Sequence, residues 1–334
     1  MSHVYHLPED PCQRLIEMNT SIGISKRRLQ GWGTLRYAVL NLVTCGGDPE
    51  EVCAQLHETA EGLRKSSGIF SSLRSDLRYC ISGTLTRHGI SLDSFRSVLE
   101  PTRSWFREER LPKGEIQEVM ACLILMEEAA DDRPTRDQVA RMAEIYAGMK
   151  SAHRFLTGRD DLAMAALLST KEHDVESILD RIRETYEGLR ELRFWAGNQL
   201  QLASHMLALS EQDPGELTQR FRRLYTCFKE KGLQMGSGDY DEVAVLSLLP
   251  HAADTIVKRV LDDRELLRAQ LEPRPSRQQG FDLAATTAFL ALAIHTKTGE
   301  PLLDATSIGK ITSMVASGSA VIAAAAAAGA AAAS

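Results

Sequence analysis

The sequence predicts an all-α fold, built as a helical-repeat array of about six to seven helix pairs that forms a curved α-solenoid or an α/α toroid. Three observations lead to this prediction. Apolar segments recur about every 40 residues, short apolar segments alternate with longer amphipathic ones, and no segment shows the strict alternation of apolar and polar residues expected of a strand.

The period is measured between the residues at which successive apolar segments end. The intervals are 41, 41, 43, 41, 40 and 40 residues, and the end points are Thr44, Leu85, Met126, Ser169, Ser210, Pro250 and Leu290. A second register agrees, because Gly62, Gly148 and Gly188 lie 86 and 40 residues apart, which is two periods and then one. Glycine disfavours a helix interior, so its recurrence there predicts the close approach of a neighbouring helix or, alternatively, of a ligand.

In chain order, we predict an N-terminal segment (residues 1–30), a helical-repeat domain (31–300), and a C-terminal capping helix with an Ala-rich tail (301–334). Each repeat is predicted to contain two helices. The first is short and apolar nearly all round, as in LAMAALLS (Leu162–Ser169), which is typical of a buried helix. The second is longer and amphipathic, as in VESILDRIRETYEGLREL, where apolar residues recur at three- and four-residue steps.

Helix-breaking residues separate the predicted units. These separators are Gly46–Pro49, Asp132–Pro134, Asp213–Gly215 and Glu272–Pro275.

Composition excludes some classes of function and favours others. The chain has 334 residues and a formal net charge of −6, which argues against a nucleic-acid-binding protein. Its six cysteines form no CxxC pair and its start has no secretory signal peptide, so we expect a cytoplasmic protein. No cofactor is predicted, because the sequence contains no HExxH, GxxxxGK[ST], GxSxG or GxGxxG motif.

Four corresponding segments place glycine before Asp or Asn where a buried helix is predicted to start. They are Gly158–Asp161, Gly197–Gln199, Gly238–Asp241 and Gly280–Asp282. One interpretation is helix capping, because Asp and Asn accept hydrogen bonds from the free N–H groups of a helix start. The other is a ligand or metal site along one edge of the array, for which the candidates are Asp160, Asp161, Asn198, His205, Asp239 and Asp241.

The leading functional prediction is a scaffold or binding module that presents a concave surface to a protein or peptide partner. The alternative is an enzyme or a metal-dependent ligand-binding protein with a polar site near Asp160, Asp161, Asn198 and His205. Aromatic residues are only 6% of the chain, which weakly disfavours an aromatic-lined pocket for a small molecule.

The segment from Ile311 to Ser334 carries no charge. It is long enough to span a bilayer, but Ala contributes little to insertion and Gly and Ser oppose it. We therefore expect it to cap the last repeat or to form a low-complexity end, and we expect membrane insertion less.

The segments FLTGRDDLAMAALLS and GNQLQLASHMLALS, the helix before Pro250 and the Ala-rich end together resemble an uncharacterised bacterial family of unknown function. The resemblance covers most of the chain from about Gly31, and its most specific parts are Thr157–Asp161 and Gly197–His205. The sequence departs from the family pattern at Leu162-Ala163, where a Pro is expected. The resemblance implies a helical, cytosolic bacterial protein and carries over no activity, cofactor or catalytic residue.

Overall fold

The computed structural model describes residues 8–23, 32–66, 68, 74–129 and 132–294. Over these residues it contains fourteen α-helices and no β-strand, which confirms the predicted all-α class. The helices are α1 (Pro11–Ser21), α2 (Trp32–Leu42), α3 (Pro49–Ser66), α4 (Arg78–His88), α5 (Leu92–Glu108), α6 (Glu115–Glu128), α7 (Arg136–Ala152), α8 (Leu162–Ser169), α9 (Val175–Glu191), α10 (Asn198–Leu207), α11 (Pro214–Glu230), α12 (Tyr240–Ser247), α13 (Ala253–Gln270) and α14 (Arg277–Ile294).

The predicted helix separators coincide with helix boundaries. Pro49 begins α3, and Thr135 caps α7 through a reciprocal bond with Gln138. Asp213 caps α11, whose first residue is Pro214, and the Pro-rich segment 272–275 lies between α13 and α14. Local sequence therefore determines where these helices start, because Pro and capping side chains suit the first turn.

The chain folds into two compact units. Unit 1 comprises the described parts of residues 1–95 and 258–334, and unit 2 comprises those of residues 96–257. In unit 1, α1 packs against α2, α3 and α14, and α4 packs against α2 and α3. The buried Arg36 side chain of α2 donates to Gln279 Oε1 of α14 at 3.1 Å, and Tyr37 Oη donates to Asp282 Oδ2 at 2.6 Å. Unit 1 thus joins helices from both ends of the chain.

In unit 2, short buried helices alternate with longer amphipathic ones. Seven of the eight residues of α8 and all eight of α12 are buried, whereas α9 buries a stripe of Ile178, Ile182, Thr185 and Leu189. The short helices pair as α6 with α8 and α10 with α12, and the long helices α7, α9 and α11 pack in succession. This alternation matches the two helix types that the sequence predicts.

The recurrent glycines lie where helices come close together. A Cβ atom on Gly148 of α7 would lie 2.2 Å from Leu179 Cδ1 of α9, and one on Gly188 of α9 would lie 3.2 Å from Thr218 Cγ2 of α11. In unit 1, a Cβ atom on Gly62 would lie 2.3 Å from Leu92 Cδ1. All three glycines therefore lie against another helix, which agrees with the predicted close approach of a neighbouring helix.

No helix in the part of the chain that the structure describes combines the length and apolar composition needed to cross a membrane. The predicted capping helix and Ala-rich tail, residues 301–334, lie outside the described residues.

Candidate functional site

The candidate residues lie mainly where the short helices of unit 2 begin. Three segments lead into α8, α10 and α12, and we call segments 153–161, 192–199 and 231–239 the loop rim. His153, just after α7, stacks with Tyr186 of α9 at a ring distance of 4.3 Å. Phe194, just after α9, packs edge-to-face on Tyr225 of α11 at 5.1 Å. These contacts place the C-terminal ends of α7, α9 and α11 side by side.

Asp160 and Asp161 belong to a three-residue 3-10 turn, Arg159–Asp161, that directly precedes α8. Asp161 Oδ2 accepts from the backbone N–H of Gly158 at 2.8 Å, and exposed Asp160 accepts from Gln117 Nε2 of α6 at 2.7 Å. Burial raises the pKa of Asp161 to about 6, and Asp160 adds to this effect. Both carboxylates therefore hold the turn in place.

The same arrangement recurs before α12. Asp239 closes the turn Ser237–Asp239, and its Oδ2 accepts from the backbone N–H of Gly236 at 2.6 Å. In these two segments the aspartate caps the short turn before the helix, and it does not make the predicted capping bond to the first N–H groups of the α-helix itself.

The other two segments differ from the capping prediction. Asn198 is exposed as the first residue of α10, and that helix start has no capping bond from a side chain. Gly280–Asp282 lies inside α14, which begins at Arg277 and not after the glycine. Asp282 instead accepts hydrogen bonds from Tyr37 and Gln278. The sequence could not reveal this, because the residues after Pro275 suit a helix as well as a loop.

Asp241 and Glu242 are buried next to each other in the first turn of α12. Their side chains share a hydrogen bond, and burial raises the pKa of Asp241. Two adjacent carboxylates in a dry environment resist double ionisation, which acts in the same direction as the raised pKa of Asp241.

His205 is the most deeply buried candidate. Its side chain is 0% exposed in α10, and neither ring nitrogen has a hydrogen-bond partner among the described residues. Burial, with a smaller contribution from His153, lowers the pKa of His205 to about 3, so the ring is neutral. One turn earlier, Gln201 Nε2 donates to Thr157 Oγ1 at 2.8 Å, while Gln201 Oε1 is buried without a partner.

The six candidates do not form one hydrogen-bonded cluster. Asp160 and Asn198 face solvent, whereas His205 and Asp241 are buried, and no hydrogen bond joins any two of the six. Within the described ranges, which include all six, no three His, Cys, Asp or Glu side chains are arranged to hold a metal ion. The predicted edge of polar residues is therefore divided between surface and interior.

A row of arginines, which the sequence reasoning missed, joins successive helix pairs. Arg141 of α7 donates from Nε to Ser169 O at 2.9 Å and from Nη2 to Lys171 O at 2.7 Å. Arg181 of α9 donates to Ser210 O and Gln212 O at 2.5 and 2.6 Å. Arg220 of α11 donates to Ser247 O at 3.0 Å.

These arginines satisfy carbonyl groups that a helix end leaves without partners. The signal that could have revealed them is a repeated spacing, because each arginine precedes a tyrosine by five residues. The pairs are Arg141 with Tyr146, Arg181 with Tyr186 and Arg220 with Tyr225.

Two large apolar side chains of the loop rim face solvent. Phe155 is 98% exposed and Trp195 is 80% exposed, each a few residues after the end of a long helix. The chain contains few aromatic residues, and its composition gave no indication that two of them would be exposed at corresponding positions.

Comparison with known proteins gives a family and no activity. Residues 46–320 match the family described as "Protein of unknown function (DUF4003)". The chain is also 23% identical over 239 residues to "Uncharacterized protein YeaA" of Bacillus subtilis (strain 168), a similarity that covers 70% of each chain. No solved structure matches the chain. The match over most of its length shows that the chain belongs to the DUF4003 family of proteins of unknown function.

Proposed function

We propose that this protein is a helical-repeat binding module that holds a protein or peptide partner through the loop rim of unit 2. The observation that carries the proposal is the exposure of Phe155 and Trp195 at corresponding positions after successive long helices. Large aromatic side chains are normally among the more buried residues, so two that are exposed at corresponding positions are candidates for contact with a partner. Aromatic anchors also contribute a large part of the free energy of protein association.

The repeat organisation that we propose is a curved array of about six to seven helix pairs. Arg141, Arg181 and Arg220 support it, because they are 40 and 39 residues apart and make the same kind of contact. Repetition of a unit places corresponding loops side by side, which is how repeat proteins build extended binding surfaces.

We also propose that the protein acts in the cytoplasm. All six cysteines are buried and unpaired, and burial raises the pKa of every one of their thiols. Buried thiols of this kind behave as small apolar side chains and fit a reducing compartment.

The binding role is tested by selecting peptides from a displayed library on the purified full chain and measuring their affinity by fluorescence polarisation. We expect Phe155→Ser combined with Trp195→Ser to weaken the selected peptides at least tenfold. The control variant is Lys171→Ser with Glu172→Ser, which alters the loop at the other end of α8 and should leave affinity unchanged. Equal affinity for the wild type and the Phe155/Trp195 variant would refute the proposal.

A second candidate is an enzyme or a ligand-binding protein whose site lies near Asp160, Asp161, Asn198 and His205. The observation that favours it is the buried His205 ring, whose two nitrogens have no partner among the described residues. Native proteins pair nearly all buried polar atoms, and an unpaired one often faces a ligand or a water molecule. A thermal-shift screen with polar metabolites and divalent metal ions tests this. The ligand-site candidate requires that at least one ligand raise the Tm of the wild type and not the Tm of the His205→Leu variant.

A further inference from the structure

We infer that unit 2 binds a small, uncharged polyol in its interior through the side chains of Tyr146, Gln201 and His205. The inference goes beyond the binding role proposed for the loop rim. It rests on the second candidate function, to which it gives a defined set of residues and a class of ligand.

The three side chains are buried polar groups whose hydrogen-bonding capacity is not used up. Each of the three residues is at most 5% exposed. Both ring nitrogens of His205, the Oε1 atom of Gln201 and the Oη atom of Tyr146 have no hydrogen-bond partner among the described residues. Native proteins pair nearly all buried polar atoms with protein groups, ordered water or a ligand, so these four atoms call for an occupant.

Contacts between α7, α10 and the segment before α8 bring the three side chains to one region. Gln201 and His205 are four residues apart on α10 and therefore lie on the same face of that helix. Gln201 Nε2 donates to Thr157 Oγ1 at 2.8 Å, and Thr157 Oγ1 donates to Met149 O of α7 at 3.2 Å. Tyr146 lies one turn before Met149 on α7.

Electrostatic effects agree with this placement and indicate its open side. The pKa of His205 is lowered by burial and also by His153, and the pKa of Tyr146 is raised by burial and also by Asp161. His153 and Asp161 belong to segment 153–161 of the loop rim, and both are half-buried. The cluster therefore borders on this segment, which is the side from which a ligand would enter.

A single water molecule cannot serve all four atoms. The N–H group and the lone pair of a neutral imidazole lie on different ring nitrogens and point away from each other. Water would therefore have to fill the site with two or more ordered molecules, each of which loses entropy when it is immobilised. A molecule with several linked hydroxyl groups makes the same bonds and is immobilised once.

The chemistry of the unpartnered atoms favours hydroxyl groups. Gln201 Oε1 only accepts hydrogen bonds, whereas a neutral His205 ring offers one donor and one acceptor and Tyr146 Oη can act as either. A hydroxyl group both donates and accepts. It therefore fits each of these atoms, whichever ring nitrogen carries the proton.

The charges around the cluster do not favour an ion. Burial lowers the pKa values of His205 and His153, so both rings are uncharged at neutral pH. Asp161 acts on Tyr146, and Lys150 Nζ lies 5.8 Å from the centre of the Tyr146 ring, so the two nearby charges have opposite signs. Burying an ion without a countercharge is costly, and the site therefore selects an uncharged ligand.

The experiment measures the binding of small probes to the full chain by isothermal titration calorimetry. Sorbitol, gluconate and glucamine share one carbon chain and are neutral, anionic and cationic, respectively, and myo-inositol is a neutral cyclic probe. We expect sorbitol or myo-inositol to bind at least tenfold more tightly than gluconate and glucamine.

Tyr146→Phe tests the location, because it removes only the unpartnered hydroxyl group. It should weaken the neutral probe at least fivefold. The matched control is Tyr225→Phe, which removes the hydroxyl group of the corresponding tyrosine of α11, where it donates to Met235 O at 3.1 Å. The control should leave affinity unchanged, and circular dichroism should show that both variants fold.

NMR spectra of the histidine side-chain nitrogens give a readout that a merely structural role would not change. The bound neutral probe should shift the nitrogen signals of His205, which are identified by their loss in the His205→Leu variant. Unshifted His205 signals at saturating probe would overturn the inference.

The remaining outcomes separate this inference from the second candidate function. If gluconate or glucamine binds more tightly than both neutral probes and Tyr146→Phe weakens it, the uncharged ligand is wrong and the ligand site stands. If none of the probes binds, or if binding survives both Tyr146→Phe and His205→Leu, the inference is overturned. The second candidate is then decided by its own thermal-shift screen, and the loop-rim role by the Phe155/Trp195 variant.

Discussion

At the scale of single residues, the buried ring of His205 connects the structure to the pH dependence of stability. Its pKa is about 3 in the folded chain, below the ordinary value of about 6.5 in the unfolded chain. Between these values the unfolded chain binds a proton that the folded chain does not, so the free energy of unfolding falls as pH falls from 6.5 towards 3.

We predict that His205→Leu removes this loss. Between pH 7.5 and pH 5, the free energy of unfolding of the wild type should fall by about 2 kcal/mol more than that of the variant. The reason is that each pKa unit corresponds to about 1.4 kcal/mol. Asp161 and Asp263 have raised pKa values of about 6 and oppose this trend, but they are present in both proteins and cancel in the comparison. Urea denaturation at the two pH values checks it. Parallel pH dependences in the two proteins would contradict a neutral, buried His205.

The sequence predicted some of this residue chemistry. The sequence makes His205, in the apolar helix QLASHMLALS, a candidate ligand, and the structure buries its side chain completely. Nothing local could show that both nitrogens would be unpartnered, because that depends on what the helices packed against α10, α9 and α12, place around the ring. The Gly-Asp pattern was visible, but whether the carboxylate caps a turn or an α-helix depends on a few backbone angles.

At the scale of helices, the arginine row should contribute more to stability than the ion pairs on the surface. Arg181→Met removes bonds to Ser210 O and Gln212 O, so we predict a loss of about 1–3 kcal/mol in the free energy of unfolding. Arg183→Met is the matched control, because Arg183 lies on the same helix and pairs with Asp180 in an exposed i,i+3 pair. Such pairs contribute about 0–1 kcal/mol. Equal losses in urea melts of the two variants would show that Arg181 has no special role.

The glycine contacts give a second prediction about helices. Gly148→Ala should destabilise the protein although Ala favours helix formation, because its Cβ atom would overlap Leu179. In a Leu179→Ala background the overlap is gone, and the same substitution should stabilise the protein by up to about 1 kcal/mol. A double-mutant cycle measured by urea denaturation checks the change of sign. Additive effects would mean that the two helices are not in contact at this point.

Helix prediction succeeded where the signals are local. Proline, capping residues and apolar periodicity marked α8, α9 and α11, because each depends on neighbours a few residues away. The start of the last described helix, α14, was predicted less well. The sequence placed Gly280–Asp282 before this helix, but the helix already begins at Arg277.

At the scale of the whole molecule, we predict that deleting residues 1–23 weakens unit 1 and leaves unit 2 intact. The deletion removes α1, which packs against α2, α3 and α14. Hydrogen exchange followed by mass spectrometry should show lost protection in α2, α3 and α14, while peptides from α8 to α11 keep theirs. Uniform loss of protection across both units would contradict this independence.

The sequence predicted the kind of element and its order better than the division of the chain into units. A period of about 40 residues is visible because each repeat carries its own pattern. The pairing of α1 with α14 has no such pattern, because the two helices are separated by more than 250 residues and meet only in the folded chain.

That pairing also sets an order of events during translation. Unit 2 is a continuous stretch of chain, so all of it is synthesised before α14. The N-terminal helices are synthesised first, and α1 and α2 lack their contacts with α14 until that helix follows. At about 5–20 residues per second, α1 waits roughly 15–50 s for α14. We therefore expect ribosome-bound chains from which all of unit 2, but not α14, has emerged to protect unit 2 from protease while α1 and α2 are cleaved, so that the part of the protein made first is the last to become native.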